Sequence, residues 1–465
     1  MKRISGTIIA TAVLLAAVSC EGFLNVKPKG KVIPESDEEY LAVMSNMLYA
    51  IETCESTVGN AIFPGPVEIL DFEAISDNLD ANLEDIFGEV KSGLPLYEGS
   101  QINKRQSYWA ALFRNIRDCN IIMDRMSARD SELSKEMMAT CLAIKGVCYY
   151  HLMRNFCKPY SPATAGTELG VPIVETFDIE NYPQRSSLET TAKYVVNLLK
   201  ASAGYHITDG KFIFTEEICK VFLAKTYFWT QDWPAAESIC REILEKHPLS
   251  ERASYPKMIQ DERLVGGEIL SRSFSKGSTA SLTYIDAKKA AGRRPINKTL
   301  IDLFAGDLDK DIRYATFVGK KRMNAKTLGY RLRSSEFCLM LAECLAHERK
   351  QPEALEQLNL LRSKRIEGCV PYTMESLPEV GSKLIKVDAE GKSLTPLMSA
   401  IFDERRKEFF LEGDRWYELK RNGMPEMVVI SNARKYATKE YLYTFPINRK
   451  DVELGGLKQN EGYRH

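Results

Sequence analysis

The segment from Glu216 to His247 constrains the fold of this chain more than any other. It holds two amphipathic helical stretches separated by Gln231-Asp232-Trp233-Pro234. Proline suits the first turn of a helix, where its missing amide hydrogen would have no partner anyway. The break therefore opens a second helix that folds back on the first. Ala224, Tyr227, Ala236 and the closing Pro248 stand near the positions of the tetratricopeptide pattern. A second pair runs over Glu336 to Arg365 and breaks near Lys350-Gln351-Pro352. Such a pair cannot bury its apolar faces alone, so several must stack.

Flanking segments follow the same pattern. Gln106 to Met126 carries Trp109, Leu112, Phe113, Ile116, Cys119, Ile122 and Met123 near helical spacing. Leu133 to Phe156 continues in this style and stops at Cys157-Lys158-Pro159, and Leu188 to Leu199 is amphipathic. Gly166 to Arg185 reads as a loop. The expectation is a mostly α fold: a tetratricopeptide-like helical-repeat scaffold with helix pairs at about 106–156, 188–248 and 336–366, long loop insertions and minor β. The insertions are 250–330 and 367–392, where helical periodicity is lost. The first has Gly266-Gly267, Gly277, Gly292 and Gly319, with a β-rich piece at Glu268 to Phe274. Long irregular segments in a compact protein are usually functional or disordered. Trp109, Trp229 and Trp416 fall in helical stripes and read as core, and Trp233 as a turn anchor.

The N-terminus is an export signal by composition. Lys2 and Arg3 precede an apolar stretch from Ile8 to Val18. That stretch is shorter than the ~20 residues a membrane-spanning helix needs, and it fits the apolar core of a secretory signal. Ala16-Ala17-Val18-Ser19-Cys20 puts small residues before a cysteine, as in a lipobox. Residues 1–19 are thus expected to be a signal peptide, Cys20 the lipidated first residue, 20–36 a tether, and 37–465 the folded domain. Acyl chains contribute about 0.8 kcal/mol per buried CH₂, so several chains anchor a protein stably.

Lys+Arg and Asp+Glu both number 63 in the 465-residue chain. Nothing in that balance points to nucleic acid, which would favour a basic face. The cysteines other than Cys20 form no C-x-x-C pair and read as small buried hydrophobes. Zinc-protease, G-x-S-x-G and phosphate-loop motifs are absent from the sequence. Cys141, Cys148 and His151 lack a fourth ligand for zinc and are assigned to the core. No metal and no cofactor are expected.

The densest charged run is Asp403 to Tyr417, DERRKEFFLEGDRWY. Helical spacing puts Glu404 and Glu408 on one face. A glycosidase uses two carboxyl groups, one with a raised pKa. Here Arg405, Arg406, Lys407, Arg415 and Arg421 are interleaved with the acids, which lowers carboxyl pKa values. The run reads as a structural ion-pair network at a helix junction, with Gly413 as the left-handed residue ending the first helix.

Asp403 to Gly423 also resembles the late signature of the SusD/RagB family, E-R-R-x-E-[FL]-x-x-E-G-x-R-[WY]-x-[DE]-L-K-R. Phe445-Pro446-Ile447-Asn448 and Gln459-Asn460-Glu461-Gly462-Tyr463 are similar to that family's ending, with Asn448 and Glu461 in place of prolines. YRLRSSEFCLMLAEC from Tyr330, Leu358-Asn359 with Arg362 and Arg365, WAALFRNIRDCN from Trp109, Gly170-Val171-Pro172-Ile173 and Arg185-Ser186-Ser187 fall in family order. The resemblance implies an outward-facing outer-membrane lipoprotein, not an enzyme. It implies a lid over a SusC-like TonB-dependent transporter that holds an oligosaccharide or a peptide. A helical-repeat scaffold for partner proteins is the alternative, and a glycoside hydrolase a more distant one.

A glycan site needs flat apolar platforms and polar side chains for hydroxyls. Candidates outside the helical stripes are Asp77, Asn78, Tyr97, Asn103 and Tyr108 ahead of the Trp109 helix, and Tyr284, Arg293 and Arg294 in the first insertion.

Overall fold

The computed structural model describes the chain from residue 34 to residue 463, apart from 35, 55–60, 81–101, 103–104, 127–130, 179, 262–263, 273–288, 290–291, 293–294 and 432–433. Cys20, Tyr97, Asn103, Tyr284, Arg293 and Arg294 lie outside the described residues.

Several helices begin where the sequence supplies a cap. Helix α1 (Asp37–Thr53) starts at Ser36, whose hydroxyl accepts from the Glu39 amide. Helix α2 (Pro66–Ala74) opens on proline. Helices α3 (Gln106–Arg125) and α4 (Glu132–Phe156) follow, the latter capped by Ser131. Strands β1 (Leu169–Pro172) and β2 (Arg185–Ser187) form an antiparallel pair, with Leu169 opposite Ser187. Gly170 is required there: a Cβ would lie 2.1 Å from Thr191 Oγ1 and 2.4 Å from the Ser187 carbonyl.

Ser187 caps α5 (Leu188–Ala203), Thr215 caps α6 (Glu216–Trp229) and Asp232 caps α7 (Trp233–Lys246). Each cap satisfies an amide that would otherwise have no partner, an effect of about 1 kcal/mol. After α8 (Tyr255–Gln260), β3 (Ile269–Arg272), α9 (Lys298–Ile301), α10 (Ile312–Phe317) and β4 (Arg331–Arg333) come α11 (Ser334–His347) and α12 (Gln351–Arg365). The chain ends with α13 (Pro396–Glu408), α14 (Arg415–Arg421), the β5 (Val428–Ser431)–β6 (Arg434–Ala437) hairpin and α15 (Arg449–Glu453).

The long helices stack in one continuous series. Helix α3 packs on α4, α4 on α5, α5 on α6, α6 on α7, α7 on α11, and α11 on α12 and α13. The step from α7 to α11 skips residues 250–330, so that segment leaves the stack and returns without breaking it. Trp109, Trp229 and Trp416 are buried in the main core, and so is Trp233 at the start of α7. The fold is mostly α, a stack of paired helices with only two-stranded sheets among the described residues.

Two features differ from the sequence reading. Residues 250–330 do not run as loop throughout: Tyr255, Met258, Ile259, Ile269, Ile296, Leu300, Phe304, Phe317 and Leu328 build a second apolar core with Ile69, Leu79, Phe410 and Leu411. Helix α13 also ends at Glu408, before Gly413. Leu411 (φ 56°) and Gly413 (φ 74°) both adopt the left-handed region in the turn to α14. The turn dips so that Phe410 and Leu411 reach the second core.

Candidate functional site

The site is built on the charged run of α13. Glu404 and Glu408, one helical turn apart, share Arg313: Nη2 donates to Glu404 Oε2 at 2.7 Å and Nη1 to Glu408 Oε2 at 3.3 Å. Glu408 Oε1 also accepts from Arg333 Nη1 at 2.6 Å and from Arg365 Nη2 at 3.1 Å. Arg365 continues to Glu268 at 2.9 Å. Glu412 accepts from Lys326 Nζ at 2.6 Å and Arg333 Nη2 at 2.9 Å. The side chains of Arg313, Arg333, Arg365, Glu268 and Glu408 are wholly buried. Desolvation alone would raise the Glu404 pKa, but Arg313 and Lys407 outweigh it and bring it down to about 2. Glu408 moves further in the same direction, under Arg365, Arg333 and Arg313. These acids are fixed anions, unsuited to deliver a proton. Their work is to bolt the second core onto α12 and α13.

Arg406, between Glu404 and Glu408 on the same helix, clamps the chain at two distant points. Arg406 donates to Asn78 Oδ1 at 3.0 Å, to the Asp77 carbonyl at 2.8 Å and to Thr299 Oγ1 at 3.1 Å. Asn78 Nδ2 in turn donates to Glu73 Oε2 at 2.8 Å. Just beyond, Leu79 and Ile296 form an antiparallel bridge. The Asp80 amide donates to the Pro295 carbonyl, and the Asn297 amide to the Asn78 carbonyl, both at 2.8 Å. Arg322 reaches Asp80 Oδ2 at 3.0 Å and the Ile296 carbonyl at 2.6 Å. The start of one expected binding stretch and the end of another, residues 80 and 295, are therefore tied side by side.

A cleft of about 290 Å³ lies against this clamp. Thr299, Asp302, Leu303, Lys383, Ile385 and Arg406 are among the residues that line it. Both sequence insertions thus contribute to it. Lys383 is pinned by Ser399 Oγ at 2.5 Å and by Asp403.

Of the residues singled out from sequence, three are described. Asp77 and Asn78 are held inward by Arg415, Arg406 and Glu73, which spends their polar atoms inside the protein instead of on a ligand. Tyr108 lies on α3, 9% exposed, with its hydroxyl accepting from Arg105 at 3.1 Å. It lines a separate cavity of about 70 Å³ with His151, Lys225, Glu336 and Asp414. Tyr108 and the Asp77–Asn78 pair are therefore not part of one pocket. The cleft residues Thr299, Asp302 and Lys383 carried no signal of their own in the sequence; only their place in the insertions pointed to them. Among the described residues no three His, Cys, Asp or Glu side chains converge to hold a metal ion.

Residues 308–463 match the SusD family model, and residues 78–205 match a second model described as starch-binding associating with outer membrane. The chain belongs to the SusD/RagB family. A SusD-like protein of Formosa agariphila is 23% identical over 292 residues, 59% of this chain. The match spans about half of that relative's length, 52%. A SusD superfamily structure from Bacteroides thetaiotaomicron superposes with a TM-score of 0.69 at 16% identity, covering 91% of this chain and 99% of that one. A putative sugar-binding protein from Bacteroides vulgatus gives 0.66 at 19% identity, covering 93% and 100%. A laminarin-binding SusD-like protein gives 0.62 at 15% identity, covering 92% and 100%. These likenesses establish the SusD fold for this chain. No helix among the described residues is long and apolar enough to cross a membrane.

Proposed function

We propose that this SusD-family chain captures an oligosaccharide at the cleft beside the Leu79–Ile296 bridge and performs no covalent chemistry on it. The observation that carries the reading is the clamp itself. Arg406 ties the roots of the stretches that hold Tyr97 and Tyr284 to one point of a rigid ion-paired scaffold. Binding residues are commonly carried on loops that a rigid scaffold positions. The starch-binding family description and the laminarin-binding structural relative support a glycan as the ligand class. The fixed anionic state of Glu404 and Glu408 argues against an acid–base pair for hydrolysis.

In this reading Cys20 is the lipidated anchor at the outer membrane, and the partner is a SusC-like TonB-dependent transporter that the protein covers as a lid. The test is a glycan and peptide array with the protein from Ser36 onward, followed by incubation with any glycan found. Binding to a glycan series without release of shorter products is the expected result. Product release would make the protein a hydrolase, and binding to peptides alone would change the ligand class. Co-purification of the anchored protein with a large outer-membrane barrel tests the lid role. Its recovery with soluble partner proteins alone would favour a repeat scaffold.

A further inference from the structure

Trp233 and His347 lie face to face, with ring centroids 4.1 Å apart and planes 5° from parallel. Trp233 is the first residue of α7 and His347 the last of α11. The His347 side chain is only 2% exposed. Both edges of its ring face carboxylates. Nε2 is 3.7 Å from Glu343 Oε1, while Nδ1 is 3.6 Å from Glu390 Oε1 and 4.0 Å from Asp388 Oδ2. A neutral imidazole has one N–H and can serve only one of these edges; an imidazolium serves both.

Other charged groups surround the ring and the carboxylates it faces. Glu343, on the same helix, is met by Arg421 of α14 at 2.6 Å, with Arg405 of α13 acting on it from farther away. Arg405 is itself committed to Asp414. Glu390 is met by Lys392 at the solvent edge, near Arg349. Glu348 turns to Lys350. Helix α7 brings the uncharged Trp233, which donates from Nε1 to Glu390 Oε1 at 2.9 Å.

Asp388 and Glu390 belong to a small hairpin. Val387 bridges to Ser393, the Asp388 amide donates to the Lys392 carbonyl at 2.8 Å, and the Leu394 amide to the Lys386 carbonyl at 3.2 Å. Gln231, between α6 and α7, holds its tip by donating to the Ala389 carbonyl at 2.7 Å. At the base of the same hairpin, Lys383, Ile385 and Leu394 line the cleft. One short element thus touches His347 at its tip and the candidate binding cleft at its base.

We infer that His347 is a proton-operated clasp: protonated, it holds the 386–394 hairpin against α7 and α11 and so fixes one wall of the cleft. Histidine is the side chain whose charge ordinarily changes between pH 5 and 8. Acidification therefore tightens the hairpin, and alkaline conditions loosen it. The consequence for the cleft rests on the binding reading above; the clasp itself does not.

The test is hydrogen exchange of the full chain without ligand at pH 5.5 and pH 8, corrected for intrinsic exchange rates. The amides of 386–394 should be several-fold better protected at the lower pH. His347→Gln should remove that pH response, and Glu390→Gln, which keeps the ring, should weaken it. Equal protection at both pH values in the parent would overturn the clasp, as would a parent-like response in His347→Gln. Should His347→Gln fail to fold by circular dichroism, a parent-like response in Glu390→Gln overturns it equally. Because the readout needs no glycan, its failure is distinct from a failure of the binding reading.

Discussion

Asp77 and Arg415, 338 residues apart in sequence, meet as a two-pronged pair: Nε donates to Oδ1 at 2.7 Å and Nη2 to Oδ2 at 2.9 Å. Arg415 Nη1 also donates to Glu418 at 2.7 Å, so each of its three guanidinium nitrogens is engaged. Burial alone would raise the Asp77 pKa, but Arg406 and Arg415 together hold it well below the usual carboxylate range. The pair fixes the chain three residues before the described segment ends at Asp80. A residue that reads as a ligand contact is here part of the mount that carries the contacts.

Glu408 tests the energetic weight of the network. Its carboxylate serves Arg313, Arg333 and Arg365, all wholly buried. Removing one partner of a buried pair costs about 3–5 kcal/mol, because the charges left behind stay desolvated. Glu408→Ala should therefore lower unfolding free energy by an amount on that order, read from a denaturant melt. A change within about 0.5 kcal/mol, the usual range for a surface substitution, would show that the cluster is not structural.

Acid should unfold the protein through the same groups. Glu404 has its pKa brought from 4.5 down to about 2 in the folded state. A lowered folded pKa gives stability that is present above the unfolded value and lost as pH falls through the folded one. The window is thus pH 4.5 to about 2, and Glu408 and Asp77 shift in the same direction. Melting temperature should fall steeply below pH 4.5, and a Glu404→Gln variant should fall less steeply. Parallel acid profiles for parent and variant would contradict this.

Glu73 has the opposite sign. Burial pushes its carboxyl from 4.5 up to about 7, against the hydrogen bonds from Asn78 and the Gly413 amide. Its contribution is complete below pH 4.5 and is lost as pH rises to about 7. At 1.36 kcal/mol per pKa unit this is on the order of 3 kcal/mol. Glu73→Gln, a mimic of the protonated acid, should flatten the loss of stability between pH 4.5 and 7. A parent-like slope in that window would refute the assignment.

Much of this architecture was open to sequence reasoning, and the limits have physical causes. The paired helices from α3 to α7 are legible because proline breaks and apolar stripes agree over 14 residues or more per helix. The ion-pair role of Glu404, Glu408 and Arg415 was legible because acids and bases alternate at helical spacing. The second core was not: its helices α8, α9 and α10 have 6, 4 and 6 residues, too short for a periodic stripe. Asp77 and Asn78 read as candidate ligand contacts; the pairing with Arg415 and Arg406 that holds them inward spans over 300 residues, so no local pattern reveals it. Tyr108 was placed near them by sequence proximity, yet the start of α3 faces the smaller cavity.

Anchoring is tested at Cys20. Alanine there removes the acylation site while leaving the apolar signal intact. The Cys20→Ala protein should leave the outer-membrane fraction on cell fractionation and appear in soluble form. Undiminished membrane retention would mean that something other than a lipid holds the protein.

The binding face is tested by contrasting the mount with what it carries. Asp77→Asn removes one charge of a pair nested against Arg406 and Arg415, with side chains 14%, 8% and 7% exposed. It should lower the melting temperature. Tyr97 and Tyr284 belong to the stretches that leave and enter the clamp at Asp80 and Pro295, and they carry the flat apolar surface that a sugar face requires. On the binding reading, their replacement by alanine should change stability by only about 0.5 kcal/mol, the usual effect of a substitution that removes a ligand contact and no core packing. Loss of one buried aromatic contact in the complex should weaken glycan affinity by 1 to 2 kcal/mol, about tenfold, on the scale of aromatic hot spots. Isothermal titration with a glycan from the array, alongside thermal melts, separates the two effects. If Tyr97→Ala and Tyr284→Ala both bind like the parent, and ligand crosslinks fall on α6 and α7 instead, the cleft beside the Leu79–Ile296 bridge is not the site.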